Sequence, residues 1–303
     1  MPEGCLFSTP DNSKALTSRS ALEEAARRGD ILEAIAESCD AAHNLNVDLG
    51  CMKGIIPRTE GAIGIAEGLV RDIALISRVG KPVSFTVDGF TTDRFGNRIA
   101  LLSRKKAQEL YRDVFIASLK PGDVIPAKVT HLESFGAFCD IGCGFAALLP
   151  IDTISVSRIS HPKDRFNCGD NIRAVVKSII GGKITLSMKE LLGTWQENAD
   201  RFCQGETVTG IVRSVESYGI FVELAPNLAG LAECRQGVFV GQHAGVYIKS
   251  ILPEKMKVKL IIIDSFDSGG AKLPIKYFCE LNHIDRWQYS PNCCERSVVS
   301  GFI

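Results

Sequence analysis

Val129-Thr130-His131-Leu132-Glu133-Ser134-Phe135-Gly136-Ala137-Phe138-Cys139-Asp140-Ile141-Gly142 reads as a strand, a tight turn and a second strand. Val212-Arg213-Ser214-Val215-Glu216-Ser217-Tyr218-Gly219-Ile220-Phe221-Val222-Glu223 repeats the pattern 83 residues later. The shared element is aromatic-Gly-x-aromatic, closed by an acidic residue. The glycine suits a tight turn between strands. The two rings, three residues apart, are then expected to reach one surface. Isolated aromatics in a small domain usually belong to the core. Repetition at one register points instead to a surface platform.

Working outward, the chain is a threefold repeat. A glycine followed by a polar residue opens each unit, at Gly29-Asp30-Ile31, Gly122-Asp123-Val124 and Gly205-Glu206-Thr207. An acidic residue closes the next strand, at Asp48, Asp140 and Glu223. Each unit ends on Leu102-Ser103-Arg104-Lys105, Leu186-Ser187-Met188-Lys189 or Leu273-Pro274-Ile275-Lys276. The acidic landmarks lie 92 and 83 residues apart and the closing ones 84 and 87. Inside the second unit, Val124–Val129, 137–141, 147–151, 171–179 and 183–187 read as five short strands, with Gly181-Gly182 as a turn. Five strands in so short a span suit a closed barrel of the OB type, which leaves no open edge. Between units the spacing turns helical, with Pro121 and Gly205 as stops.

The expected fold is mainly β: three OB-type five-stranded barrels in tandem, joined by short α-helices. The expected organisation starts with a disordered lead-in and short helix over 1–28, the helix opening on a capping box at Ser20-Ala21-Leu22-Glu23. A degenerate first barrel spans 29–106, a linker helix 107–119 and a second barrel 120–190. A linker helix over 191–202, a third barrel over 203–276 and a C-terminal tail over 277–303 complete the chain.

Lys plus Arg and Asp plus Glu both number 35, so the formal charge is zero. That balance argues against coating duplex nucleic acid by charge alone. It leaves room for single strands, whose bases stack on aromatic rings. The charge balance also predicts a shallow salt dependence. No apolar run approaches the roughly 20 residues that span a bilayer. The eleven cysteines are odd in number and sit in apolar contexts, as reduced core residues do in a cytoplasmic protein.

The candidate RNA-binding residues follow from the pattern. Phe135, Phe138, Tyr218 and Phe221 form the platforms. Lys128, His131, Arg173 and Lys183 surround the first pair, and Arg213 and Lys272 the second, with Lys255, Lys257 and Lys259 nearby. The alternation Lys183-Ile184-Thr185-Leu186-Ser187 predicts Lys183, Thr185 and Ser187 outside. Cys39, His43 and Cys51, or Cys139, Cys143 and His131, lack the close ligand pairs of a zinc site. Cys293-Cys294 reads as an incidental pair. Nucleophile–base constellations, clustered carboxylates and a phosphate loop are missing from the pattern, so neither catalysis nor a cofactor is expected.

Pro121-Gly122-Asp123-Val124, Phe135-Gly136-Ala137-Phe138, Asp140-Ile141-Gly142 and Leu186-Ser187-Met188-Lys189 resemble the S1 RNA-binding domain, the repeat of small-subunit ribosomal protein S1. The third unit is similar through Gly205, Gly210, Tyr218-Gly219-Ile220-Phe221 and Gly230-Leu231. The first is similar more distantly, through Gly54 to Glu60 and Leu102-Ser103. The resemblance implies an OB-type fold and binding of single-stranded RNA or mRNA, in translation at the small ribosomal subunit. The rival is an accessory RNA-binding protein in RNA decay or transcription regulation, without stable ribosome association. A family histidine is replaced by Pro150 and Glu233, and a family aspartate is missing around Ile179-Ile180.

The first unit departs most. Matched from the acidic landmark, His43 stands where Phe135 does and Asn46 where Phe138 does. Ile99 and Leu101 stand where Lys183 and Thr185 do. An outward apolar pair suggests a protein-facing surface. Residues 29–106 are therefore expected to dock on small ribosomal subunit proteins while the later units hold RNA.

Overall fold

Strand pairing in the computed structural model closes three barrels, each from five antiparallel or parallel neighbours in the same cyclic order. The structure describes all residues except Arg94, Ser268, Ala271 and Ile303. In sequence order the strands of the first barrel are β1 (Leu32–Cys39), β2 (Leu45–Asp48), β3 (Lys53–Ile56), β4 (Pro82–Thr92) and β5 (Arg98–Ser103). Those of the second are β6 (Val124–Glu133), β7 (Gly136–Asp140), β8 (Ala146–Pro150), β9 (Asn171–Ile180) and β10 (Lys183–Ser187). The third holds β11 (Thr207–Glu216), β12 (Gly219–Ala225), β13 (Leu228–Ala232), β14 (His243–Leu252) and β15 (Lys257–Phe266). In each barrel the third strand pairs in parallel with the fifth, and the fourth returns to the first. The fold class read from the sequence is what the structure shows. Among the described residues no helix is long and apolar enough to cross a membrane.

The chain divides into two compact units. Unit 1 comprises Met1–Leu119 with Asp140–Ala146, and unit 2 comprises Lys120–Cys139 with Ala147–Ile303. Inside unit 1, Leu32, Ala34, Leu45, Val47, Ile56, Val83, Phe85 and Leu102 fill the first barrel. The helix Arg19–Arg28 buries Leu22 and Ala25 against that core. Its cap is Ser18, whose hydroxyl accepts the Ala21 N–H, rather than the capping box expected at Ser20. Gly29 ends it in the left-handed region at φ 71°, which a residue without Cβ adopts at least cost.

The lead-in of the 1–28 segment, expected to be disordered, is folded. Pro10–Leu16 is a helix, and the segment before it wraps a buried carboxylate. Glu33 accepts N–H bonds from Gly4, Leu6 and Phe7 and a hydroxyl bond from Ser84. Burial raises the pKa of its carboxyl, and the bonds from Ser84, Gly4 and Phe7 oppose the rise. Asn12 brackets the Glu33 backbone, donating to its carbonyl at 2.9 Å and accepting its N–H at 2.8 Å. A buried acid needs such partners, and the leading segment supplies three of the four. The linker helix runs Arg104–Val114, starting before the expected 107 because Ser103 caps it.

Unit 2 corrects three further expectations. The linker helix over 191–202 is two pieces, a 3-10 turn Lys189–Leu192 and a helix Trp195–Ala199. They break at Gly193, at φ 84°, where a Cβ would lie 2.8 Å from the Phe278 ring. The third barrel closes on β15, and Leu273–Lys276 lies outside any strand. Ser187 is buried, with its hydroxyl donating to Glu190, because it ends β10 facing the following turn.

Residues 277–302 pack within unit 2 against its barrels. Asn282 and Gly122 carbonyls accept the Val124 and Ile284 N–H groups, and Tyr289 Oη donates to the Asn227 carbonyl at 2.6 Å. A short hairpin of β16 (Arg286–Gln288) and β17 (Val299–Gly301) completes the segment. Barrels two and three are held together within unit 2 by a buried ion pair. Arg165 and Glu223 bond each other with no side-chain exposure, and Arg213 Nε donates to Glu223 at 2.5 Å. Burial lowers the Arg165 pKa and Glu223 opposes that shift.

Candidate nucleic-acid interface

The β6–β7 and β11–β12 hairpins turn through only two residues, Ser134-Phe135 and Ser217-Tyr218. Each turn presents its aromatic residue outward, with Phe135 54% and Tyr218 68% exposed. The second ring of each pair lies half-buried on the next strand. Phe135 and Phe138 meet edge to face, with centroids 6.0 Å apart at 88°. Tyr218 and Phe221 meet at 6.1 Å and 86°. Edge-to-face contact fixes ring orientation and adds about 0.5–1.5 kcal/mol beyond burial. Two barrels therefore carry one geometry: an exposed ring in edge-to-face contact with a half-buried one.

The glycine between the rings has a different job from the one read in the sequence. A Cβ on Gly136 would lie 2.6 Å from the Leu149 carbonyl oxygen, and one on Gly219 2.7 Å from that of Ala232. Glycine is required because the second strand presses on the third, and that approach holds the inner ring against the sheet. The same contacts equate Leu149 with Ala232, and so Leu148 with Leu231. Leu148 pairs in parallel with Thr185, and Leu231 with Lys259. Two residues earlier, Lys183 and Lys257 occupy equivalent places. Both are exposed.

That register corrects Lys272. Its Nζ donates to the Phe166 carbonyl at 2.7 Å and to Asn167 Oδ1 at 2.8 Å, tying it to a loop of the second barrel. Lys257 stands where the sequence reading put Lys272. Arg173 is also occupied: its guanidinium donates to the carbonyls of Cys279 at 2.8 Å and Leu281 at 2.9 Å and lies over the Tyr277 ring. Arg213 is committed to Glu223 and Asp164. These three cations hold the fold of unit 2 rather than standing open to a ligand. Lys128 is half-buried opposite Asn171 on β9. His131 is exposed, with Nε2 3.2 Å from Glu133. The candidate residues that stand open are thus Phe135, Tyr218, Lys183, His131 and, by register, Lys257, with Phe138 and Phe221 half-buried beside the outer rings.

The first barrel has the scaffold without the rings. Ser38 pairs with Asn46 as Ser214 pairs with Phe221, after the same irregularity in the first strand. Asn46 donates to Ser38 at 3.1 Å. The hairpin is one residue longer, turning through Ala41, Ala42 and His43, with His43 at φ 62°. A left-handed third residue is how three-residue hairpins close. The His43 ring lies 3.4 Å from Asp72. Ile99 and Leu101 are half-buried, and Leu101 pairs with Ile55 as Lys259 does with Leu231.

None of the eleven cysteines is in a disulfide, and burial pushes the Cys143 thiol up to about 12. Among the described residues no group of three His, Cys, Asp or Glu is placed to hold a metal ion.

Residues 118–189 match the family model of the S1 RNA binding domain. The chain is 30% identical over 267 residues to small ribosomal subunit protein bS1 of Staphylococcus aureus, covering 86% of this chain and 64% of that one. It is 31% identical over 240 residues to the protein of the same name from Staphylococcus epidermidis, covering 77% and 58%. A multidomain protein with nucleic acid binding domains from Streptococcus pneumoniae matches 78% of this chain and 74% of its own, at 14% identity and a TM-score of 0.24. The chain spans less than two thirds of the length of these bS1 relatives. Residues 118–189 are thus similar to the S1 RNA-binding domain, and the chain is similar along most of its length to small ribosomal subunit protein bS1.

Proposed function

We propose that this chain binds single-stranded RNA without catalysis, stacking bases on Phe135/Phe138 and Tyr218/Phe221. Lys183 and Lys257 supply phosphate contacts beside those rings, and His131 stands at the rim of the first platform. The observation that carries the reading is the matched ring geometry in two barrels, 6.0 Å and 6.1 Å between centroids with both outer rings exposed. Each stacked base is worth roughly 1–3 kcal/mol by truncation. A titration of labelled single-stranded RNA against the full chain with all four rings changed to Ala tests it. The expected outcome is at least a hundredfold weaker binding, and unchanged binding would make the rings core packing only.

The biological setting follows the bS1 relatives: mRNA binding in translation, in the cytoplasm, together with the small ribosomal subunit. Residues 29–106 are proposed to dock on small ribosomal subunit proteins. Leu69 at 83% and Ile73 at 63% exposure support that reading, because a ring-free barrel carries them as bare apolar surface. Leu69→Glu with Ile73→Glu is expected to move the protein from the ribosomal fractions of a gradient to its top. If the unaltered chain already stays at the top, the protein acts as an accessory RNA-binding protein in decay or transcription instead.

A further inference from the structure

Two cavities of about 660 and 470 Å³ flank the inner ring of the third barrel and share Val156, Ser157, Phe221 and Ala229 in their linings. They form one trough across β12 and β13. Tyr218 and Arg158 stand at one end, and Lys257 and Arg296 at the other. Two of those four residues come from outside the third barrel. Arg158 belongs to the loop after β8, and Arg296 to the C-terminal segment.

Both outside walls are fixed by named bonds. The Val156 and Ser157 N–H groups donate to Asn227 Oδ1 at 2.9 Å and to the Pro226 carbonyl at 3.1 Å. The Val298 N–H donates to Ser290 Oγ, and its carbonyl accepts the Tyr289 N–H. Tyr289 in turn donates to the Asn227 carbonyl. Asn227 is fully buried and also donates to the carbonyls of Lys189 and Gly193. One buried asparagine, through its side chain and its backbone carbonyl, therefore holds both walls in register with the ring-bearing strand.

The geometry points to a composite site: we infer that the third barrel's RNA-binding groove is completed by Arg158 and Arg296, which contact the phosphates on either side of the base stacked at Tyr218/Phe221. The inference rests on the stacking function proposed above. Its chemistry is that of a single strand, an aromatic floor with exposed cations at both ends. Glu216, Glu254 and Glu295 share the lining with Arg158, Arg213, Lys255, Lys257 and Arg296, so the groove has only a small net positive charge and the rings must supply most of the binding.

The test uses the full chain with Phe135→Ala and Phe138→Ala, so that the third barrel is read alone. Labelled oligouridylate is titrated against Arg158→Glu, Arg296→Glu and their combination, and separately against Tyr218→Ala with Phe221→Ala. Thermal midpoints check that each variant is folded. Each charge reversal is expected to weaken binding roughly tenfold, and 4-thiouridine in the oligonucleotide is expected to crosslink within residues 294–298. Loss of binding in the ring variant, with the Arg variants unchanged and no crosslink to that segment, would overturn the composite groove and leave the stacking function standing. Binding unchanged in every variant would overturn both.

Discussion

The first and third barrels share strand order, the irregularity in the first strand and the parallel closure, yet differ at three equivalent places. Asn46 replaces Phe221 opposite the paired serine. A three-residue loop ending in left-handed His43 replaces Ser217-Tyr218. Ile99 replaces Lys257 on the closing strand. The acidic landmark differs as well: Asp48 is exposed beside Lys53, whereas Glu223 is buried between Arg165 and Arg213. A common barrel leaves its outer face and hairpin free to change, because the inward residues alone form the core. The proposed RNA-binding function therefore falls on positions the fold does not use.

The largest expected effect tests the acidic pair. Glu223→Ala leaves Arg165 buried and unpaired and is expected to cost about 3–5 kcal/mol in urea denaturation. Asp48→Ala, at the same register in the first barrel, is expected to cost less than about 1 kcal/mol, because Lys53 remains solvated. Equal losses would break the distinction between a locking acid and a turn-forming one.

The rings come next. Tyr218→Ala with Phe221→Ala is expected to remove roughly 2 kcal/mol or more of RNA-binding free energy. Conversely, replacing Ala41-Ala42-His43 by Ser-Tyr together with Asn46→Phe rebuilds the platform in the first barrel. That graft is expected to add RNA binding there, read by titration in the background lacking the other four rings. Asn46→Phe alone is expected to add little, since the longer loop gives the inner ring no outer partner.

Smaller effects separate the cations. Lys257→Ala and Lys183→Ala are each expected to weaken binding about equally for all sequences and to flatten the salt dependence by about one ion. Lys272→Ala is expected to leave RNA affinity unchanged and to act only on stability. The smallest effect is at His283, whose pKa is raised by its hydrogen bond to Asp123 and then by Asp285. A raised folded-state pKa stabilises below the ordinary imidazole value and is lost as pH rises through the raised one. The thermal midpoint is expected to fall as pH climbs from about 6.5 toward that raised pKa, relative to a His283→Gln variant.

The repeat, the five-strand count and the four rings were legible because turn residues and strand alternation recur in sequence. The equivalence of His43 and Asn46 with the ring positions was legible for the same reason. The closing strand of the third barrel was not. Lys257–Phe266 lacks the Leu-Ser ending of the other two, and Leu273-Pro274 imitated it from coil. That slip moved the basic residue from Lys257 to Lys272. Arg173 and Arg213 misled for a second reason. A cation on an outer strand looks the same in sequence whether it meets phosphate, a buried glutamate or a returning chain segment. The order of Met1–Lys14 was hidden similarly, because the partner that organises it is Glu33 rather than an apolar stripe.

The most direct test of the central claim maps ultraviolet crosslinks between the full chain and single-stranded RNA by peptide mass spectrometry. Adducts are expected on the hairpins carrying Phe135/Phe138 and Tyr218/Phe221, and none on residues 41–46 of the first barrel. Adducts concentrated in the first barrel, with the four rings unlabelled, would contradict it.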